Sequence, residues 1–155
     1  MKPFAWLVAA ALAAPLPCCA ENALVGTYRL VSFALEIDGV PGHGPVGPDP
    51  RGTLVITPKH YTYTYIGSGR KFGTSTEARA ALHDTSASVA GRYAVEGDRL
   101  VVDVEVAWNE LWNGTRQVRH IARSGNRLTL TSPPQPYPRD PARTVVSRLV
   151  WEKVE

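Results

Sequence analysis

From Tyr61 to Tyr65 the chain alternates tyrosine with threonine at every step, so that Tyr61, Tyr63 and Tyr65 share one face of an extended segment and Thr62 and Thr64 the other. A period of two marks a β-strand with one buried face, whereas a helix needs an apolar stripe with a period of about 3.6. The same pattern recurs along the chain. Runs of β-forming residues cover 24–37, 52–57, 60–66, 88–95, 100–108, 115–122, 127–131 and 144–154. They are punctuated by Asp38-Gly39, Pro58-Lys59, Glu96-Gly97-Asp98 and Ser124-Gly125-Asn126, which are turn-forming combinations. In the fifth run Leu100, Val102, Val104, Val106 and Trp108 fall on one face, with Asp103 and Glu105 opposite. This arrangement predicts an all-β fold, an eight-stranded antiparallel up-and-down barrel that leaves no edge strand exposed. A two-sheet sandwich is the competing architecture.

Three segments interrupt the meander. Residues 39–51 are dense in glycine and proline (Pro41, Pro45, Pro48, Pro50) and predict a long irregular loop, a candidate lid over a site. Residues 74–84 predict one short helix, with Thr74 and Glu77 at capping-box spacing ahead of Ala78, Ala80, Ala81 and Leu82. A helix this short is marginal alone and must dock on the barrel. Residues 132–141 hold five prolines and predict a stiff, extended crossing to the last strand.

The first twenty residues differ in kind. Lys2 precedes an apolar run from Phe4 to Leu16, which Pro15 and Pro17 interrupt before Cys18-Cys19-Ala20. This order predicts a secretory signal peptide over residues 1–20 and a mature domain over 21–155, located in the periplasm or secreted. A lipid anchor on one of the two cysteines is the alternative, although proline fits poorly just before a lipoprotein cysteine. The run is too short for a stable membrane span, and no later segment qualifies. Both cysteines lie in the leader, so the mature chain has no disulfide, and its stability must come from an apolar core.

Charge and motifs exclude several function classes. Without Lys2 the balance is 16 basic against 14 acidic residues, and the arginines are dispersed along the strands, which argues against nucleic acid as a partner. His43, His60, His83 and His120 show no His-x-His or His-Glu-x-x-His spacing, so no metal site is assigned. The glycine-rich stretch 67–73 fits neither phosphate-loop fingerprint and reads as a strand-to-helix linker. No serine sits in a Gly-x-Ser-x-Gly elbow. Neither a cofactor nor a catalytic residue is assigned.

The opening Leu24-Val25-Gly26-Thr27-Tyr28-Arg29-Leu30-Val31-Ser32-Phe33 resembles the start of bacterial lipocalin-like domain proteins, in which Trp usually stands where Tyr28 does here. Further similar stretches follow in family order: Gly52-Thr53-Leu54-Val55-Ile56, Gly91-Arg92-Tyr93, Trp112-Asn113-Gly114-Thr115, Asn126-Arg127-Leu128 and Arg148-Leu149-Val150-Trp151. Together they span nearly all of residues 24–154. The resemblance implies a calycin-type barrel with a ligand cavity. It also implies that an aromatic residue of the first strand stacks on an arginine of the last strand and closes one end, with Tyr28 and Arg148 as the barrel-closing pair.

The candidate ligand-binding residues are Tyr61, Tyr63, Tyr65, Trp108, Trp112, Arg119 and His120. With the tyrosine face inward, three phenols line the cavity; with it outward, Thr62, Thr64 and Ile66 fill the interior. Trp108 and Trp112 flank residues 109–114 and form either an entrance rim or a core plug. Alternation sets Gln117, Arg119 and Ile121 against Val118, His120 and Ala122, so only one of Arg119 and His120 points inward. An inward Arg119 requires a partner, either a ligand carboxylate or an internal acid such as Glu105. The favoured function is binding of a small, mostly hydrophobic molecule. The alternatives are a small barrel enzyme of the isomerase, cyclase or hydratase class, which needs a carboxylate beside Arg119 or His120 deep in the pocket, and a protein-interaction or inhibitor module, which needs a solid interior.

Overall fold

The computed structural model describes residues 23–42, 44, 46–137 and 140–155. The leader over residues 1–20 and His43 therefore lie outside the described residues. The strands are β1 (Gly26–Ile37), β2 (Val40–Gly42), β3 (Arg51–Ile56), β4 (His60–Ile66), β5 (Ser86–Glu96), β6 (Arg99–Ala107), β7 (Arg116–Ser124), β8 (Arg127–Thr131), β9 (Gln135–Tyr137) and β10 (Asp140–Lys153), with one helix, α1 (Thr76–Asp84), between β4 and β5. Eight of these strands form a closed antiparallel barrel in the order β1-β3-β4-β5-β6-β7-β8-β10. β10 returns to β1, pairing Leu30 with Trp151 and Phe33 with Leu149. Closure satisfies both edges of the sheet, which settles barrel against sandwich.

The two remaining strands lie in segments whose prolines predict irregular chain. β2 pairs Pro41 with Glu36 of β1, and β9 pairs Pro136 with Thr144 of β10. Each is three residues long and paired to one neighbour only. An edge strand tolerates a proline because the missing N–H can face away from the ladder.

Two bulges change which residues face inward. In β1 the register shifts between Leu30 and Ser32. Val31 is the extra residue, so the inward series runs Tyr28, Leu30 and then Phe33 instead of continuing on even positions. In β6 the pairing steps from Gly91–Val104 to Ala90–Val106 and leaves Glu105 unpaired. Val106, expected on the same face as Val104, is consequently turned outward and is 66% exposed. Such an insertion reverses the alternation beyond it without leaving a mark in local composition.

The two ends of the barrel differ. At one end the strands join through short turns at residues 57–59, 97–98 and 125–126, with Gly97 and Gly125 at φ 65° and 58°. The interior there is solid: Leu24, Tyr28, Leu30, Leu54, Ile56, Leu100, Leu128 and Trp151 are all buried. The Tyr28 hydroxyl donates to the carbonyl of Leu24 at 2.7 Å, so the one polar atom of that ring is satisfied inside the plug. All the longer connections, β1 to β3, β4 to β5, β6 to β7 and β8 to β10, lie at the opposite end.

Helix α1 begins one residue later than the spacing of Thr74 and Glu77 predicts. Ser75 is the N-cap, its hydroxyl accepting from the amide of Ala78 at 3.2 Å. The far end is held by hydroxyls as well, Thr85 Oγ1 donating to Ala81 O at 2.8 Å and Ser86 Oγ to His83 O at 3.0 Å. None of the helical residues is fully buried, so its stability rests heavily on these caps. Ser75→Ala is expected to cost the helix about 1 kcal/mol. Amide exchange over residues 76–84 should then speed up by about fivefold while global unfolding barely shifts. Unchanged exchange would mean that the cap is not what holds this helix.

Candidate functional site

The strands reach the long-loop end with the barrel unfilled. A cavity of about 310 Å³ opens there, within the range of small-molecule pockets. Its wall is dominated by aromatic rings. Tyr63 and Tyr65 project from β4 with their rings 5.8 Å apart and 4° from parallel, and Phe33 of β1 lies 5.5 Å from Tyr65. Tyr63 also leans on Trp151 at 6.2 Å, where cavity floor meets solid core. Leu35, Val46, Ala87, Val145 and Leu149 supply aliphatic surface between them.

Trp108 and Trp112 form the second aromatic wall, stacked 5.8 Å apart and 5° from parallel. Their loop is fixed from several sides. The Trp108 indole N–H donates to the carbonyl of Ser86, and the His83 ring of α1 sits 4.3 Å from the Trp108 ring. Asn109 caps a 3-10 turn over Glu110–Trp112, and the Asn113 side chain accepts from the amide of Ala107 at 2.7 Å. Both tryptophans are half-buried and contact the core while lining the cavity, so rim and core roles meet in the same two rings.

The β6–β7 register decides between Arg119 and His120. Residues directly opposite in an antiparallel pair share a face. Arg119 lies opposite Leu100, which is fully buried, so it points inward; His120 lies opposite Arg99 and points outward. Arg119 is half-buried on the cavity wall, donating from Nη1 to Val118 O at 2.8 Å and from Nη2 to Gln117 Oε1 at 3.0 Å. The His120 side chain is 49% exposed and sits 3.6 Å from Asp98 on the outer surface. Glu105, the internal acid considered for Arg119, is the bulge residue and faces Arg92 outside the barrel at 3.5 Å. The carboxylate that does reach the cavity is Asp84, at the end of α1, and it is 61% exposed beside His83 at the mouth.

Burial pushes the phenols of Tyr61, Tyr63 and Tyr65 well above the ordinary tyrosine range, and the nearby Arg119 charge offsets only part of that rise. They are therefore neutral near physiological pH and offer hydrogen-bond donors as well as ring faces. Tyr61 is sealed beneath the cavity, 4% exposed, with its ring edge against Tyr63, so it supports the lining and does not belong to it. Tyr28 and Arg148 are not brought together. Arg148 is opposite Ala34, six positions along β1 from Tyr28, and its side chain is exposed. Burial raises the Tyr28 phenol above its ordinary range, and the charge that offsets part of that rise is that of Arg123, not Arg148.

Several lining residues escaped the sequence. Val46 comes from the glycine- and proline-rich loop and is 1% exposed, so it anchors that segment over the barrel; its carbonyl accepts from the amide of Ser68 at 2.8 Å. Gln135 and Tyr137 come from the proline-rich crossing, and Asn109 from the tryptophan loop. A lone valine amid glycines and prolines, as at Val46, is the one local signal that marks such an anchor. Among the described residues, no group of three or more histidine, cysteine, aspartate or glutamate side chains is placed to hold a metal ion, and no helix is long and apolar enough to cross a membrane.

The sequence model of the lipocalin-like domain matches residues 25–154, from the first barrel strand to just past the last. No curated protein and no solved structure matches the chain.

Proposed function

The chain belongs to the lipocalin-like domain family, and from that premise we propose that it binds a small, mostly apolar molecule in the barrel cavity. The observation that carries this reading is the open-mouthed cavity of about 310 Å³ between two stacked aromatic pairs, at the end of the barrel where the longer connections gather. A tight interior would have favoured a protein-interaction role instead. The pairing of Arg119 with a carboxylate deep in the pocket, which would have favoured an enzyme, is not formed among the described residues: Asp84 stands at the mouth against His83. The apolar leader supports export, with the ligand met in the periplasm or outside the cell.

Apolar transfer alone gives modest affinity. A ligand burying the equivalent of roughly ten methylenes gains about 8 kcal/mol, against at least about 4 kcal/mol for its lost freedom of motion. The balance corresponds to a dissociation constant of about a millimolar. Micromolar binding therefore needs placed polar contacts as well.

Ala87 is 2% exposed and lines the cavity from β5, so Ala87→Phe puts a ring into the space without touching the barrel seam. Titration with a fluorescent amphiphile, an apolar body with a polar head, should give micromolar binding to the native chain and at least about tenfold weaker binding to the variant, since overfilling a snug site typically costs about 1.4 kcal/mol or more. Circular dichroism would check that the barrel persists. A native chain that neither binds the probe nor carries a copurified ligand in native mass spectrometry would sink the proposal.

A further inference from the structure

Among the described residues Arg119 is the one cation on the cavity wall, and it has no carboxylate partner there. Its surroundings make this unusual within the molecule. On the outer surface of the same part of the barrel, Arg92, Arg99 and Arg116 each face an acid, at 3.5 Å from Glu105, 3.4 Å from Glu96 and 3.2 Å from Asp103. Those exposed pairs have water as an alternative partner and contribute little. The half-buried guanidinium, where an ion pair matters most, instead donates to two neutral acceptors of its own strand, Val118 O and Gln117 Oε1. A guanidinium has five N–H donors, so these two bonds orient the group and leave the others to be met. The phenols nearby, Tyr63 and Tyr65, are neutral and do not compensate its charge.

We propose that the cavity's ligand is an amphipathic organic acid whose anionic group, of the carboxylate or sulfonate class, docks on Arg119 while its apolar body lies among the tyrosine and tryptophan rings. This rests on the cavity-binding reading and specifies its ligand class. The fork of a guanidinium can donate side by side to the two oxygens of a carboxylate or to two of the three oxygens of a sulfonate, and the charge-assisted bond is strengthened where the walls exclude water. Gln117 accepts from Nη2 and so helps to fix the orientation of the guanidinium on the cavity wall.

A matched pair of fluorescent probes tests this on the full mature chain at physiological ionic strength: anilinonaphthalene sulfonate and its sulfonate-free parent, phenylnaphthylamine. The native chain should prefer the sulfonate by about tenfold or more, as expected of a hydrogen bond to a charged group. Arg119→Met should bring the ratio of the two dissociation constants to within about threefold, and Arg119→Lys, which keeps the charge but loses the fork, should give an intermediate ratio. Displacement of the probe by naphthoate should likewise exceed displacement by naphthamide in the native chain and not in Arg119→Met. Equal binding of sulfonate and parent by the native chain, or a preference that survives in Arg119→Met, overturns the inference while the cavity reading stands. Failure of the native chain to bind either probe overturns both.

Discussion

Trp151→Ala is expected to lower the unfolding free energy by about 3–5 kcal/mol, a large part of the stability of a domain this size. Trp151 is fully buried, sits opposite both Leu30 and Leu128, and carries Tyr63 on its ring. It thus lies on the seam where β10 closes against β1 and at the boundary between plug and cavity. Removing it leaves a void that neighbours on three strands cannot fill without breaking their own pairing. Trp151→Phe makes the contrast informative. The indole N–H has no acceptor among the described residues, so phenylalanine loses some volume but also removes an unpartnered buried donor. That variant should cost no more than about 1.5 kcal/mol. Urea unfolding followed by circular dichroism separates the two cases, and similar losses for both would argue against a buried, close-packed indole.

The second large effect is expected at a residue with no side chain. A Cβ added to Gly91 would stand 2.0 Å from the carbonyl oxygen of Asp103, a backbone atom locked into the β6 bulge. Neither strand can retreat without undoing the bulge, so Gly91→Ala should destabilise by about 3 kcal/mol or more, at the upper end of overpacking costs. Gly97 provides the control. It occupies a left-handed turn at φ 65°, where an added methyl group would meet nothing within 4 Å, so Gly97→Ala should cost only about 1 kcal/mol of backbone strain. Equal effects at the two positions in urea unfolding would show that the strands do not approach as closely as the bulge requires.

Much of the barrel was legible because its strands obey a simple alternation. The Tyr/Thr run of β4 announces a strand with two distinct faces, of which the structure buries the tyrosine one, and the turn residues at Gly97 and Gly125 fix where the hairpins reverse. The pattern fails where the chain breaks its own period. Val106 looks like a core residue by type and spacing, and Phe33 looks out of phase with Tyr28 and Leu30; only the pairing with a neighbouring strand shows that the period is broken beside each of them. The same limit applied to the site. Gln117, Arg119 and Ile121 are no more apolar as a set than Val118, His120 and Ala122, so composition could not orient β7; the partnership of Arg119 with Leu100 does. Ser75 and Thr74 are equivalent as caps by type, and only the hydrogen bond to Ala78 tells them apart. Val46, Gln135 and Tyr137 reach the cavity from chain segments whose course depends on tertiary contacts and not on local propensity.

The asymmetry between the ends of the barrel has a consequence for how such a chain can change. What keeps the molecule folded, the hydrophobic plug and the strand seam, is concentrated where the reversals are short. Part of what a guest molecule would meet, Trp108, Asn109 and Trp112 above all, is carried by a connection that can exchange side chains without disturbing that plug. A new cargo preference is therefore accessible through rim substitutions at little thermodynamic risk, with Arg119, rooted in a strand, as the fixed point around which the rest of the mouth is free to diversify.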